Sequence, residues 1–258
     1  MYYEVHGEGE PLLLIMGLGG DLTGWIFQTL EFSKQYRVIV FDNRGVGRSD
    51  APDTPYSTEL MADDAAGLLN ALDIDKAHIL GLSMGGMIAQ ELALKYPQRV
   101  KSLILATTAA CPHSTNKHVL DTWTRMALEG VSVETRFREQ LPWIFTDKFF
   151  DNPELVQLAL NTKLANPDPQ PAYAYTRQVA ACLEHDARDR LGQITAPTLV
   201  LVGKEDILLP IQMSEELAAG IPNAELVVLE GGGHGFLVEI AGKFNRAVLD
   251  FLENVKKE

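Results

Sequence analysis

The sequence predicts an α/β protein: a mostly parallel sheet with helices on both faces and a helical insertion ahead of its last two strands. Three observations predict it. Short apolar runs alternate with stretches of helical periodicity over the first 110 residues and again from residue 198 onward. Helices are the usual crossover between parallel neighbours, so such alternation implies a sheet covered on both faces. Between about 111 and 190 the strand character disappears, and helix formers are punctuated by Pro112, Pro142, Pro153, Pro167, Pro169 and Pro171.

In chain order, residues 2–5 and 12–16 read as strands joined by the turn Gly7-Glu8-Gly9-Glu10-Pro11, and 38–41 and 77–80 as short buried strands. Residues 58–72 carry apolar side chains at helical spacing with their charges on another face, and 87–96 do the same until Pro97 stops them. A strand follows at 103–106. After the insertion come strand 198–202, helix 211–219, strand 225–229 and a closing helix from about 240 to 255. No internal repeat is present. Active sites in such sheets lie at the carboxyl ends of the strands.

Composition narrows the function classes. With 258 residues, 46% apolar and 22% charged, the chain is long enough for one large domain with an insertion. Its formal net charge of −13 repels phosphate backbones and anionic lipid heads, so neither nucleic acid nor a membrane is an expected partner. The longest apolar run, 11–16, is too short to span a bilayer, and the first residues lack the pattern of a secretory leader. A cytoplasmic location is expected. Cys111 and Cys182 fit no zinc or CxxC spacing and are expected to be reduced.

Gly81-Leu82-Ser83-Met84-Gly85-Gly86 follows a strand and opens a helix. A serine hydroxyl attacks a carbonyl only if a base takes its proton and the backbone stands clear, and a sharp strand-to-helix turn with glycine two residues to either side provides that clearance. The base must be a histidine oriented by a carboxylate. Of six histidines, His234, in Gly-Gly-Gly-His-Gly after strand 225–229, sits on the right edge. His6 and His78 lie in or beside strands, while His113, His118 and His185 fall in the insertion, where His113 is a possible cavity residue. Asp206 follows strand 198–202 and fits best as the acid, ahead of Glu205 and Asp42.

Charge developing on the substrate oxygen needs fixed donors. The backbone N–H of Met84 is one, and Leu18, in the glycine-rich Met16-Gly-Leu-Gly-Gly20 after the second strand, is the second. Those glycines lack GxGxxG spacing, there is no GKS or GKT, and no histidine pair has the HExxH form, so no nucleotide, other cofactor or metal is expected.

These stretches, with Phe41-Asp-Asn-Arg-Gly-Val-Gly-Arg-Ser-Asp50, Pro197-Thr-Leu-Val-Leu-Val-Gly203 and Gly233-His234, resemble the α/β-hydrolase superfamily, specifically its small capped carboxylesterase, enol-lactonase and haloperoxidase-like group. The resemblance runs nearly the whole length. It implies an eight-stranded sheet built from residues 1–110 and 191–258, with a helical cap, 111–190, inserted after the sixth strand. It also implies that Asp42-Asn43-Arg44-Gly45 is a structural turn near the oxyanion loop. One departure stands out: where His-Gly is common, this chain has Met16-Gly17, which leaves the support of that loop open.

The expected reaction is ester hydrolysis through an acyl-enzyme on Ser83, acting on small or aryl esters as the small-molecule partner. The protein itself is expected to be a monomer or small homo-oligomer. Lactonase, perhydrolase or carbon–carbon hydrolase activity, or a small-molecule receptor on the same fold, are the alternatives. Trp25, Trp143, Phe145 and Phe236, with Tyr173 and Tyr175, are candidate lining residues. A carboxylate clamp would need one of Arg125, Arg136, Arg138, Arg177, Arg188 or Arg190 to point inward.

Overall fold

Seven strands, β1 (Tyr3–His6), β2 (Glu10–Ile15), β3 (Tyr36–Phe41), β4 (Ala77–Leu82), β5 (Val100–Ala106), β6 (Thr198–Gly203) and β7 (Ala224–Leu229), form one sheet in a computed structural model that describes residues 1–257. The order is β1-β3-β2-β4-β5-β6-β7. β1 runs antiparallel to β3, and every other pairing is parallel.

Each strand matches a segment of strand-like sequence. The eighth strand implied by the family resemblance is absent among the described residues: β1 itself closes the β3 edge, and no further run is extended and paired. The helical segment accordingly follows the fifth strand rather than the sixth.

The central strands are apolar at nearly every position because both faces are covered. In β2, Leu13 and Ile15 pack on one face while Leu12 and Leu14 pack on the other. β5 divides likewise, Leu103 and Leu105 against Ile104 and Ala106. The first face is covered by α2 (Thr58–Ala71), α3 (Met84–Lys95) and α9 (Ile211–Gly220), and the second by α1 (Ile26–Phe32) and α11 (Ala241–Val255).

Between β5 and β6 run α4 (Ser114–Leu128), α5 (Val133–Ile144), α6 (Asp147–Phe150), α7 (Pro153–Leu164) and α8 (Ala172–Glu184). A short α10 (Phe236–Glu239) precedes α11. The segment rejoins the core at a buried polar knot: Arg190 donates to both oxygens of Glu91 at 2.7 and 2.6 Å, and His185 Nδ1 lies 3.0 Å from Thr58 Oγ1. No helix among the described residues is long and apolar enough to cross a membrane.

Candidate active site

The carboxyl ends of six parallel strands, β2 to β7, lie along one edge of the sheet, and the loops leaving them carry the candidate chemistry. β4 ends at Leu82 and α3 begins at Met84, so Ser83 alone makes the turn, with φ 55° and ψ −120°. Non-glycine residues rarely hold a positive φ, and here it swings the side chain clear of both elements. The flanking glycines are needed for space. A Cβ on Gly81 would run into the Gly85 carbonyl oxygen, and one on Gly85 into the carbonyl of Ile15.

Opposite stands His234, on the loop after β7. Its Nδ1 is 2.9 Å from Asp206 Oδ2, and both side chains are at most a tenth exposed. Asp206 Oδ1 accepts from the backbone N–H groups of Leu208 and Leu209 at 2.8 Å each. Thr107 Oγ1 donates to Oδ2 and also lies 3.4 Å from His234 Nδ1. Four donors therefore fill the four lone-pair directions of the carboxylate and fix the imidazole plane with its Nε2 edge turned away. The Ser83 hydroxyl forms no hydrogen bond among the described residues; it and His234 line the same cavity.

Leu18 and Met84 border that cavity too. Met84 is the first residue of α3, where backbone N–H groups have no intrahelical acceptor. The loop carrying Leu18 is held without a histidine at position 16. Asn43 Nδ2 donates to the Met16 carbonyl at 2.9 Å, Gly19 N–H donates to Gln178 Oε1 at 3.1 Å, and the Met16 thioether fills the space beside Gly20 and Gly24. Gln178, fully buried on α8, also donates to the Arg44 carbonyl at 2.9 Å, so the Asp42–Gly45 turn and the loop share one support. Asp42 accepts from Leu22 and Arg48 backbone N–H groups, and Glu205 is exposed, which leaves neither beside His234.

The cavity has a volume of about 190 Å³ and walls that are mostly apolar. Leu82, Met87, Leu209 and Leu237 form its floor side, while Leu120, Trp123, Ile144, Tyr175 and Cys182 come from the segment between β5 and β6. Cys182 is buried, which pushes its thiol up to about 12 and leaves it a poor nucleophile. Burial likewise raises the Tyr175 phenol well above its ordinary value.

Of the six aromatic residues expected as lining, Trp25, Trp143, Phe145 and Phe236 do not border this cavity. Trp25 and Phe236 lie fully buried in the core between the sheet, α1 and α11, where Phe236 packs edge-on to Phe244. Trp143 and Phe145 line a different depression beside Lys148 and Glu205, with Phe145 stacked on Phe149. Which way an aromatic side chain faces depends on helix phase, and composition does not carry that. Tyr175 does line the cavity, whereas Tyr173 is exposed and donates to Ala51 O. Trp123 and Thr107 were missed by the sequence reading; Thr107 had a signal of a kind, since it too follows a strand directly. His113 caps α4 and faces Glu216. Among the described residues, no three His, Cys, Asp or Glu side chains gather as metal ligands would.

A parallel sheet, a serine alone in a strand-to-helix turn, and an acid–histidine pair along the same edge together define a hydrolase of α/β architecture. The chain belongs to the α/β-hydrolase fold family, whose sequence model matches residues 10–239. It is 33% identical to "Putative carbamate hydrolase RutD" of Caulobacter sp. (strain K31), over 98% of this chain and 95% of that one. Among solved structures it is similar to a thermophilic esterase from Thermogutta terrifontis, at 34% identity, TM-score 0.88, and 98% and 93% of the two chains. The enol-lactonase from Burkholderia xenovorans LB400 is similar at 30% identity, TM-score 0.89, over 98% and 96%.

Proposed function

We propose that this hydrolase is a serine carboxylesterase, with Ser83 as nucleophile, His234 as base and then acid, and Asp206 as the group that orients and charge-balances the imidazole. The observation that carries the reading is the strained Ser83 turn facing the Asp206-bound His234 across an apolar cavity. The Ser83 proton passes to His234 Nε2 as Oγ adds to the ester carbon, and the N–H groups of Leu18 and Met84 hold the oxyanion. Collapse of the adduct breaks the bond to the alcohol, which takes the proton from His234. Water then adds to the acyl-enzyme, gives its proton to His234, and releases the acid as that proton returns to Ser83.

The segment from 111 to 190 acts as a cap over the 1–110 and 191–258 core in this reading, since its helices supply one wall of the cavity. A cytoplasmic setting belongs to the same proposal, supported by two unpaired, buried cysteines. Mostly apolar walls favour small or aryl esters. Hydrolysis of a carbamate is the second reading, favoured by the name of the relatives at 31–35% identity; it would use the same residues.

Turnover of p-nitrophenyl butyrate, with a fluorophosphonate label on Ser83 located by mass spectrometry, tests the assignment. Ser83→Ala is expected to lower kcat about 10³-fold or more and to abolish labelling. Undiminished hydrolysis by that variant overturns the nucleophile. Ammonia release from a carbamate at a higher kcat/KM than any ester favours the second reading.

A further inference from the structure

A second chamber of about 240 Å³ adjoins the apolar one, and its chemistry is different. The two share five lining residues, Leu18, Gly20, Gln140, Ile144 and Tyr175, so the proposed oxyanion loop is their common wall. Two cations, Arg136 on α5 and Lys163 on α7, line only the second.

Of the six arginines between 111 and 190, five are paired with acids: Arg125 with Asp121, Arg138 with Glu134, Arg177 with Asp53, Arg188 with Asp186, and Arg190 with Glu91. Arg136 has no salt bridge among the described residues, and its Nε is buried with no hydrogen-bond partner. Lys163 forms no salt bridge there either. Burial holds its ammonium below the ordinary range, Arg136 adds to that, and Asp21 opposes it. Asp21 is engaged by Thr23 and by Asn166 Nδ2 at 3.1 Å. Glu139, one turn on from Arg136, accepts from the Trp143 indole at 3.3 Å instead. A half-buried guanidinium left unpaired beside a second cation is costly unless a ligand supplies the anion.

We infer that this chamber binds a carboxylate on the substrate, so that the ester cleaved at Ser83 is an acidic one, such as a half-ester of a dicarboxylic acid. The inference rests on the esterase reading of the first chamber. One planar guanidinium and one ammonium partly countered by Asp21 match a single negative charge better than a phosphate dianion. The apolar chamber takes the uncharged side of the ester, and the carbonyl lies at the shared wall beside Leu18.

The test compares kcat/KM for p-nitrophenyl hydrogen glutarate and neutral p-nitrophenyl butyrate in the full chain, with glutarate binding to the Ser83→Ala chain followed by calorimetry. The acidic ester is expected to be preferred about tenfold or more, as one charged hydrogen bond supports. Arg136→Gln should remove most of that preference and weaken glutarate binding by about the same factor. Arg136→Lys should restore part of it, and Arg138→Gln, whose charge is already paired, should keep the wild-type ratio. Turnover of the neutral ester with no preference for the acidic one, or a ratio insensitive to Arg136→Gln, overturns the inference and leaves the esterase reading standing. If neither ester is turned over, the esterase reading falls, and glutarate binding that is lost in Arg136→Gln still upholds the anion chamber, while no binding overturns it.

Discussion

Thr107 holds φ at 43°, a conformation that β-branched residues avoid, and its hydroxyl points at Asp206. Backbone strain of this kind costs about 1–3 kcal/mol and persists where the surroundings fix it. Here the fixing contacts are the Thr107 N–H on the Leu201 carbonyl at 2.7 Å and the hydroxyl on the carboxylate. Thr107→Val keeps the branched shape and removes the donor. We expect kcat on p-nitrophenyl butyrate to fall about tenfold, because Asp206 loses one of its hydrogen bonds and orients His234 less well. The melting temperature should move by only a few degrees, which separates positioning from folding. Ser83, Asp206 and His234 were legible in the sequence because each comes soon after a strand on the edge where such sheets keep their chemistry. Thr107 has the same placement, yet a threonine carries no recognisable pattern of its own. The lining aromatics were illegible for another reason: burial in a core and burial around a cavity select the same residue types.

At the level of elements, α8 is tied to two loops at the sheet edge through Gln178. Gln178 accepts from Gly19 N–H and donates to Arg44 O, both in loops of the core. On the opposite side, Glu239 accepts from Gly233 N–H at 2.9 Å and from Thr146 N–H and hydroxyl at 2.9 and 2.7 Å, while Gly235 N–H donates to Ile144 O at 2.7 Å. Gln178→Ala leaves a half-buried N–H and a half-buried carbonyl without these partners, and should cost about 1 kcal/mol in urea unfolding. On the proposed esterase reading it should also lower kcat on the neutral ester, since Gly19 adjoins Leu18, the proposed oxyanion donor. An unchanged kcat would show that the loop keeps its shape without α8. The strand segments were readable because their apolar runs are short, rich in aliphatic residues and bounded by turn signals. α1 was not read as a helix. Ile26, Phe27 and Leu30 stand exposed on it, between 45% and 62%, so its apolar pattern does not follow a single buried face.

For the whole molecule, the join between helical segment and sheet sets a pH dependence. Burial, with the Arg190 charge beside it, lowers His185 to about 4 from an ordinary 6.5, the Glu91 charge being taken up by Arg190. Below about 6.5 the unfolded chain takes up a proton that the folded chain refuses. Stability is thus lost as pH falls from about 6.5 toward 4, by something of the order of 2 kcal/mol. Urea midpoints at pH 7.5 and pH 5 should drop further for the natural chain than for His185→Gln; equal drops would assign the acid sensitivity elsewhere. The sheet, four of its five covering helices and the helical insertion were predictable from the sequence pattern. The eighth strand was not in the residues at all; it came from likeness to other chains.

With residues 111–190 read as the proposed cap, the hydrogen bonds from Gln178 and Glu239 hold it as a roof along two margins. A roof fastened on both sides does not swing like a lid, because swinging would break contacts at the very loops that carry Leu18 and His234. On that reading ligands enter past margins that stay put, so size is expected to be sorted on entry before chemistry is sorted inside. On the proposed esterase reading, bulky esters are expected to be slow to enter but ordinary in the acylation that follows.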